Sequence, residues 1–376
     1  MTFENLNLMS PLLDSVKKAG YTVPTKIQQQ SIPHILSGKD LFGCAQTGTG
    51  KTAAFALPLL QRMMTDRSRG ASAGIRALVL APTRELAIQI DDSFHTYGSG
   101  TGLKYVCIYG GVSQHNQVEK LSRGADILVA TPGRLLDLVN QRIIRLDAVR
   151  YLVLDEADRM LDMGFIHDIK RILALLPAKR QNLFFSATVT PQVKILAGSI
   201  LSAPVMVSVT PEVDIPVLIR QSVYYVRKED KRGLLKHVIN DSGIGHALVF
   251  TRTKHGADRV ARDLKKNGIA AEAIHGDKSQ NNRERSLNGF RNGAIRVLVA
   301  TDVVSRGIDI ESLSHVINYE IPQEPATYVH RIGRTGRAGA AGTALSFCSE
   351  EEKKYLADIH KEIRREIQVV RTHPFS

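Results

Sequence analysis

The sequence predicts two α/β domains in tandem, each a mainly parallel sheet flanked by helices, and three observations carry that expectation. Short apolar runs rich in Val, Ile and Leu alternate with segments of helical period, the pattern of strands covered on both faces. The alternation breaks once, between Ser202 and Pro216, where Pro204, Pro211 and Pro216 stand among the acidic Glu212 and Asp214. The length, 376 residues, also exceeds one core, since a domain takes about 150 residues.

Taken in order, the first domain offers strand-like runs at Asp40–Cys44, Arg76–Ala81, Lys104–Tyr109, Asp126–Ala130, Tyr151–Leu154 and Asn182–Phe185. A helix carrying Ala53, Phe55 and Leu57 follows the first run. A linker is placed at 208–217. The pattern then restarts with Ser222–Val226, His246–Phe250, Ala270–Ile274, Arg296–Ala300, His315–Asn318 and Thr343–Phe347, with a helix at Gly256–Lys266. The stretch Glu350–Val369 has Tyr355, Leu356, Ile359 and Ile363 at helical spacing and reads as one helix packed on the second domain.

Fifty Lys and Arg against 37 Asp and Glu leave a formal charge of +13 in a chain that is 43% hydrophobic. That excludes a disordered polycation and points to a polyanionic partner, nucleic acid first. Cys44, Cys107 and Cys348 are widely spaced and set in or beside apolar runs, which suggests core thiols in a reducing compartment and neither a disulfide framework nor a zinc site. The opening MTFENLNLMS lacks a charged segment leading into an apolar stretch, and no apolar run approaches the ~18 residues of a membrane span. A cytoplasmic protein with no membrane partner is expected.

Ala45-Gln46-Thr47-Gly48-Thr49-Gly50-Lys51-Thr52 lies between an apolar run and a helix. Small residues there let backbone N–H groups wrap phosphate oxygens at a helix N-terminus, Lys51 reaches the β and γ phosphates, and Thr52 offers a hydroxyl to Mg²⁺. Ala45 stands where the strict pattern has Gly. Leu152-Val153-Leu154 leads into Asp155 and Glu156, adjacent carboxylates suited to hold Mg²⁺ through water and to orient and deprotonate an attacking water. Together the two motifs predict nucleoside triphosphate hydrolysis.

With the literal Asp155-Glu156-Ala157-Asp158 in place, the chain resembles the DEAD-box ATP-dependent RNA helicases over essentially its whole length, and among them the bacterial RhlE-type subgroup. Gly20-Tyr21 through Pro24-Thr25-Lys26-Ile27-Gln28, with Phe3 upstream, is similar to the family's Q motif. A Gln amide can pair with the N6 donor and N7 acceptor of adenine while an aromatic ring stacks on it. Pro82-Thr83-Arg84-Glu85-Leu86-Ala87, Gly110-Gly111 and Thr131-Pro132-Gly133-Arg134 resemble segments that hold the RNA backbone, although each alone also reads as a turn or cap. By the same resemblance Asp158 and Ser186-Ala187-Thr188 couple hydrolysis to RNA rearrangement; buried hydroxyls satisfying the backbone would look the same.

In the second domain, His330-Arg331-Ile332-Gly333-Arg334-Thr335-Gly336-Arg337 resembles the family's arginine motif. Arg334 and Arg337 would share one face if the segment is helical and would reach the γ-phosphate across a cleft as arginine fingers. Thr301 through Asp309 is similar to the fifth motif, in which Gly307 and Asp309 meet the nucleotide, Thr301 touches RNA, and Arg306 acts with His330 in coupling; Val304-Ser305 replaces the usual pair of small residues. Arg252, Gly276, and Gln280 with Arg283, match further RNA-contacting or coupling positions.

The resemblance divides the chain into a Q-motif region at 1–31, a RecA-like ATP-binding domain at 32–207, the linker at 208–217 and a RecA-like C-terminal helicase domain at 218–376. It implies ATP and Mg²⁺ as cofactors, RNA read through its backbone as partner, and ribosome-assembly or RNA-decay proteins as further partners. Domain closure on ATP and RNA would complete the site and separate strands locally. Two other readings stand beside it: a DNA translocase of the same superfamily, and an ATP-gated RNA clamp that does not unwind.

Overall fold

The computed structural model describes residues 2–45, 48–68, 74–209, 219–241, 243–302, 313–336, 341–363 and 366–376. The chain divides into two compact units, 1–212 and 213–376. In the first, the strands are β1 Leu41–Ala45, β2 Ala77–Leu80, β3 Tyr105–Ile108, β4 Ile127–Ala130, β5 Tyr151–Leu154, β6 Gln181–Ser186 and β7 Val205–Val209. They form one sheet in the order β3-β4-β2-β5-β6-β1-β7, with every ladder parallel.

Continuous apolar runs are needed because both faces are covered. Val79, Val153 and Phe185 point to a core shared with Ile27, Phe55, Ile90 and Phe94. Their strand neighbours Leu78, Leu152 and Phe184 point the opposite way, to Leu138, Met160 and Ile172. Asp40, just before β1, fixes the sheet's register: Oδ1 accepts from Asn182 N at 2.8 Å, and Oδ2 accepts from Asn182 Nδ2 at 3.1 Å and Ser202 N at 2.9 Å. The edge strand β7 was not expected from the sequence.

The second unit repeats the plan with β8 Ile219–Tyr225, β9 Ala247–Thr251, β10 Ala271–Ile274, β11 Val297–Thr301, β12 His315–Asn318, β13 Gly342–Cys348 and β14 Gln368–Val370. The order is β10-β11-β9-β12-β13-β8-β14, again parallel throughout. The single helix expected at Glu350–Val369 is corrected here. A short 3-10 turn, Glu350–Glu352, precedes a helix at Lys353–Ile363, and Gln368–Val370 pairs with β8 as an edge strand. Leu356, Ile359 and Ile363 make the buried stripe that the helical spacing foretold.

A buried ion pair ties these pieces together. Lys231 Nζ meets Glu352 Oε2 at 2.5 Å and donates to the carbonyls of Phe347 at 2.9 Å and Tyr319 at 3.0 Å. Among the described residues no helix is long and apolar enough to cross a membrane. Because each sheet is parallel, the loops at its C-terminal strand ends gather on one edge, the usual place for a ligand in such folds.

Candidate nucleotide and nucleic-acid site

Strand order sorts the expected site residues of the first unit. Ala45 closes β1 and leads to Lys51 and Thr52, Asp155 and Glu156 follow β5, and Ser186 closes β6; these strands are neighbours, β5-β6-β1. Pro82, Thr83 and Arg84 follow β2, Gly110 and Gly111 follow β3, and Thr131 to Arg134 follow β4, and these too are neighbours, β3-β4-β2. Residues expected at phosphates and residues expected at RNA therefore occupy two adjoining halves of one sheet edge.

In the first half, Lys51 opens the helix Lys51–Ser68, is 6% exposed, and donates from Nζ to Ala45 O at 2.8 Å, closing the loop on itself. Gly48 and Thr49 lead into it, while Gln46 and Thr47 lie outside the described residues. Gly50 has φ 89°, and a Cβ there would strike the amide of Gln28. Gln28 Nε2 donates to Gly50 O at 3.1 Å, and its Oε1 accepts from Thr25 N at 2.9 Å as part of the cap of the helix Lys26–Leu36. Those bonds use one amide hydrogen and one lone pair, so the amide keeps the capacity to pair with an adenine edge. Tyr21 is 53% exposed with its ring 6.4 Å from that of Tyr97, whereas Phe3 is buried in the core.

Asp155 is 2% exposed, and its Oδ1 accepts from the backbone N of Glu156 at 3.0 Å. Burial pushes its carboxyl up to about 6; the charge of Lys51 opposes that rise and the charge of Glu156 adds to it. A buried hard oxygen donor with incompletely compensated charge fits Mg²⁺, and Thr52, half-buried, lies in the first turn of the helix that follows β1. Among the described residues no group of three His, Cys, Asp or Glu side chains is placed to hold a metal ion.

Glu156 adopts the left-handed conformation, φ 52° and ψ 51°, at the start of the short helix Ala157–Asp162, a backbone state costing about 1–3 kcal/mol outside glycine. Its Oε2 lies 3.2 Å from Arg159 Nη1. Asp158 Oδ2 accepts from Ala187 N at 3.2 Å, Thr188 N at 3.0 Å and Thr188 Oγ1 at 2.9 Å. Ser186 Oγ donates to Thr188 O at 2.7 Å. Of the two hydroxyls, that of Ser186 thus serves the backbone and that of Thr188 the acidic motif.

In the second half the loops brace one another. Arg84's guanidinium fills the space a Cβ at Gly111 (φ 76°) would need, and Thr83 accepts from Leu86 N at 3.4 Å to cap the helix Arg84–Tyr97. Arg134 donates to Gln117 Oε1 and to Val112 O, each at 3.0 Å, and Gln117 in turn bonds Tyr109 N at 3.2 Å and Tyr109 O at 3.0 Å. Gln117, which holds the Gly110-Gly111 loop to Arg134, was not read from the sequence. Its burial on the helix His115–Ser122 marks it only once the fold is known.

The second unit shows the same arrangement. Arg252 follows β9, Gly276 follows β10 and Thr301 closes β11, again three neighbours, β10-β11-β9. Arg252 N donates to Glu320 Oε2 at 2.7 Å, and its guanidinium lies 3.4 Å from Glu320 and 3.5 Å from Glu352. Lys254 and Asp277 pair at 2.6 Å beside Gly276, and Arg283 is buried on the helix Gln280–Arg291. The helix Pro325–Ile332 carries the half-buried His330 but stops before Arg334, which is 4% exposed in the turn that follows. A shared helical face for Arg334 and Arg337 is therefore not what forms at Arg334; Arg337, Arg306, Gly307 and Asp309 lie outside the described residues.

Arg331, unassigned in the sequence reading, is 1% exposed and grips Asp302 with Nε at 2.6 Å and Nη2 at 2.8 Å. It also donates to Asn318 Oδ1 at 3.1 Å and Glu320 O at 2.7 Å. The arginine motif is thereby pinned to the ends of β11 and β12.

Residues 25–196 match the family described as DEAD/DEAH box helicase, and residues 230–339 the helicase conserved C-terminal domain. The chain is 46% identical over 356 residues to the DEAD-box ATP-dependent RNA helicase CshA of Streptococcus pneumoniae serotype 4, covering 95% of this chain and 67% of that protein. It is 44% identical over 367 residues to CshA of Bacillus subtilis, covering 98% and 73%. The fold matches S. cerevisiae Dbp5 bound to RNA and ADP BeF3 with a TM-score of 0.86 at 33% identity, covering 98% of this chain and 95% of that one. The two parallel sheets are tandem RecA-like domains, and the chain belongs to the DEAD-box helicase family.

Proposed function

We propose that this protein is an RNA-dependent ATPase that separates short RNA duplexes or remodels RNA–protein complexes, closing its two domains on ATP and RNA and resetting by hydrolysis. The observation that carries the reading is the sorting of strand ends. In each sheet the expected backbone-contacting residues, apart from Arg283 on its helix, sit at or just past the C-terminal ends of three adjacent strands, a row suited to a phosphate chain.

Gln28 reads adenine, with Tyr21 and Phe3 assigned beside it, and the loop 45–52 wraps the phosphates with Lys51 on the β and γ groups. Thr52 and Asp155 would hold Mg²⁺, Asp155 through water. When bound, that ion neutralises phosphate charge. Glu156 orients the attacking water and takes its proton. Arg334 and Arg337 stabilise the γ-phosphate in the transition state, an effect worth roughly 10³ to 10⁵ in rate in related enzymes. Gly307 and Asp309 meet the nucleotide, and Asp158, Ser186, Thr188, Arg306 and His330 relay its state to the RNA row. That row comprises Pro82, Thr83, Arg84, Gly110, Gly111, Thr131, Gly133 and Arg134 in the first domain, and Arg252, Gly276, Arg283 and Thr301 in the second.

The division at 1–31, 32–207, 208–217 and 218–376 belongs to the same proposal. So do a cytoplasmic location, ribosome-assembly or RNA-decay proteins as partners, and the RhlE-type placement, which rests on the motifs while the bacterial relatives named above are CshA proteins. The test is ATP turnover with single-stranded RNA of roughly ten nucleotides, with matched DNA, and with neither. Strong stimulation by RNA alone is expected. Equal stimulation by DNA at one ionic strength would favour the translocase reading, and ATP-dependent retention of RNA without duplex release would favour the clamp.

A further inference from the structure

Four non-glycine residues among those described have positive φ: Asn7, Arg142, Glu156 and Ala203. Asn7, Arg142 and Ala203 are exposed, and Glu156 is buried. A strained residue inside the fold needs surroundings that determine it, and Glu156 has such a partner one turn on. Arg159 Nη1 stands 3.2 Å from Glu156 Oε2, with side-chain exposures of 5% and 7%. The turn between them is fixed as well, since Met160 N donates to Glu156 O at 3.1 Å and Arg159 N to Asp158 Oδ1 at 3.0 Å.

A carboxylate on a glutamate side chain has several rotatable bonds between it and its backbone, and a left-handed backbone does not by itself choose among the resulting positions. A planar guanidinium does choose, because its N–H groups lie in a fixed fork. We propose that Arg159 is the positioning residue for Glu156, holding the carboxylate where it meets the attacking water. The proposal rests on the reading of Glu156 as the group that acts on that water. It assigns Arg159 no contact with nucleotide, so ATP binding is not its task.

The test compares Arg159→Met, which keeps length and loses the fork and charge, with Arg159→Lys, which keeps the charge alone. Turnover at saturating ATP and RNA is measured with KM, the affinity for a fluorescent ADP analogue, and the melting temperature. Arg159→Met is expected to lower kcat about tenfold to a hundredfold, the loss typical of a misplaced reacting group, with KM and analogue affinity within about twofold. Arg159→Lys is expected to recover part of the loss. In a Glu156→Gln background, Arg159→Met should change the residual rate by less than about twofold, since the residue through which it acts is already disabled.

An unchanged kcat for Arg159→Met, an equal loss in both backgrounds, or a loss that tracks analogue affinity overturns the proposal. If Arg159→Met does not fold, Arg159→Lys decides alone: a folded variant with lowered kcat and intact affinity supports the assignment, and unchanged kcat removes it. Wild-type turnover by Glu156→Gln would instead defeat the reading of Glu156, so the two failures are distinguishable.

Discussion

Replacing Asp155 with Asn should make the nucleotide-free protein more stable while abolishing its chemistry. Burial is the main reason that the Asp155 carboxyl ionises near 6 when folded, against an ordinary value of 3.8. A folded-state value above the unfolded one means the native protein holds that proton more tightly, so ionisation costs stability as pH rises. The cost is absent below about pH 4, grows through about pH 6 and is constant above it, where it amounts to about 3 kcal/mol. Asn removes the ionisation and keeps an oxygen to accept from Glu156 N, as Asp155 Oδ1 does at 3.0 Å. At about 2–4 °C per kcal/mol for a unit of this size, the first unit's transition should rise by roughly 6–12 °C at pH 7.5. The assay is scanning calorimetry from pH 4 to 8 with EDTA and no nucleotide. A gain that persists undiminished at pH 4, or no gain at pH 7.5, would refute the reasoning.

Glu156→Gln should bind ATP and RNA yet turn over at least about a hundredfold more slowly, trapping a long-lived complex visible by gel shift; normal turnover would remove Glu156 from the chemistry. Gln28→Ala should erase much of a preference for ATP over GTP, measured as a ratio of kcat/KM, because the guanine O6 cannot replace the adenine N6 donor. Lys231→Met should destabilise the second unit by about 3–5 kcal/mol in urea unfolding, since Glu352 keeps its buried charge and loses a partner at 2.5 Å; a change below 1 kcal/mol would contradict that.

The central strands were legible because burial on both faces leaves an uninterrupted apolar run, as in Leu78 to Leu80 and Leu152 to Leu154. The edge strands were not. β7 does alternate, with Val205, Val207 and Val209 toward the core and Met206 62% exposed, but it lies inside the proline-interrupted stretch from Ser202 to Pro216. β14 is three residues long with Val369 39% exposed, too short to show a pattern. Ile367 continues the spacing of Ile359 and Ile363, and periodicity alone therefore extended that helix too far. Most site loops were legible because the motif directly follows a strand, whereas the segment with Gln28 and the segment from His330 lie on or after helices and were read from residue identity. Gln117, Arg159 and Arg331 were missed because their value lies in partners that folding supplies: Arg134 for Gln117, Asp302 for Arg331, and for Arg159 a glutamate whose turn had to be seen.

Strand order also sets a timetable for synthesis. In each sheet the strand translated first lies between strands translated much later: β1 between β6 and β7, and β8 between β13 and β14. Leu41 waits for Leu183, and Ile219 for Gly342. At about 5–20 residues per second, the strand that leads into the phosphate loop stays unpaired on the ribosome for on the order of ten seconds. Neither sheet can close progressively from its N-terminal side, so a nascent chain carries an apolar strand in search of partners until residue 181 and beyond have emerged, and slow parallel pairing lengthens that exposure.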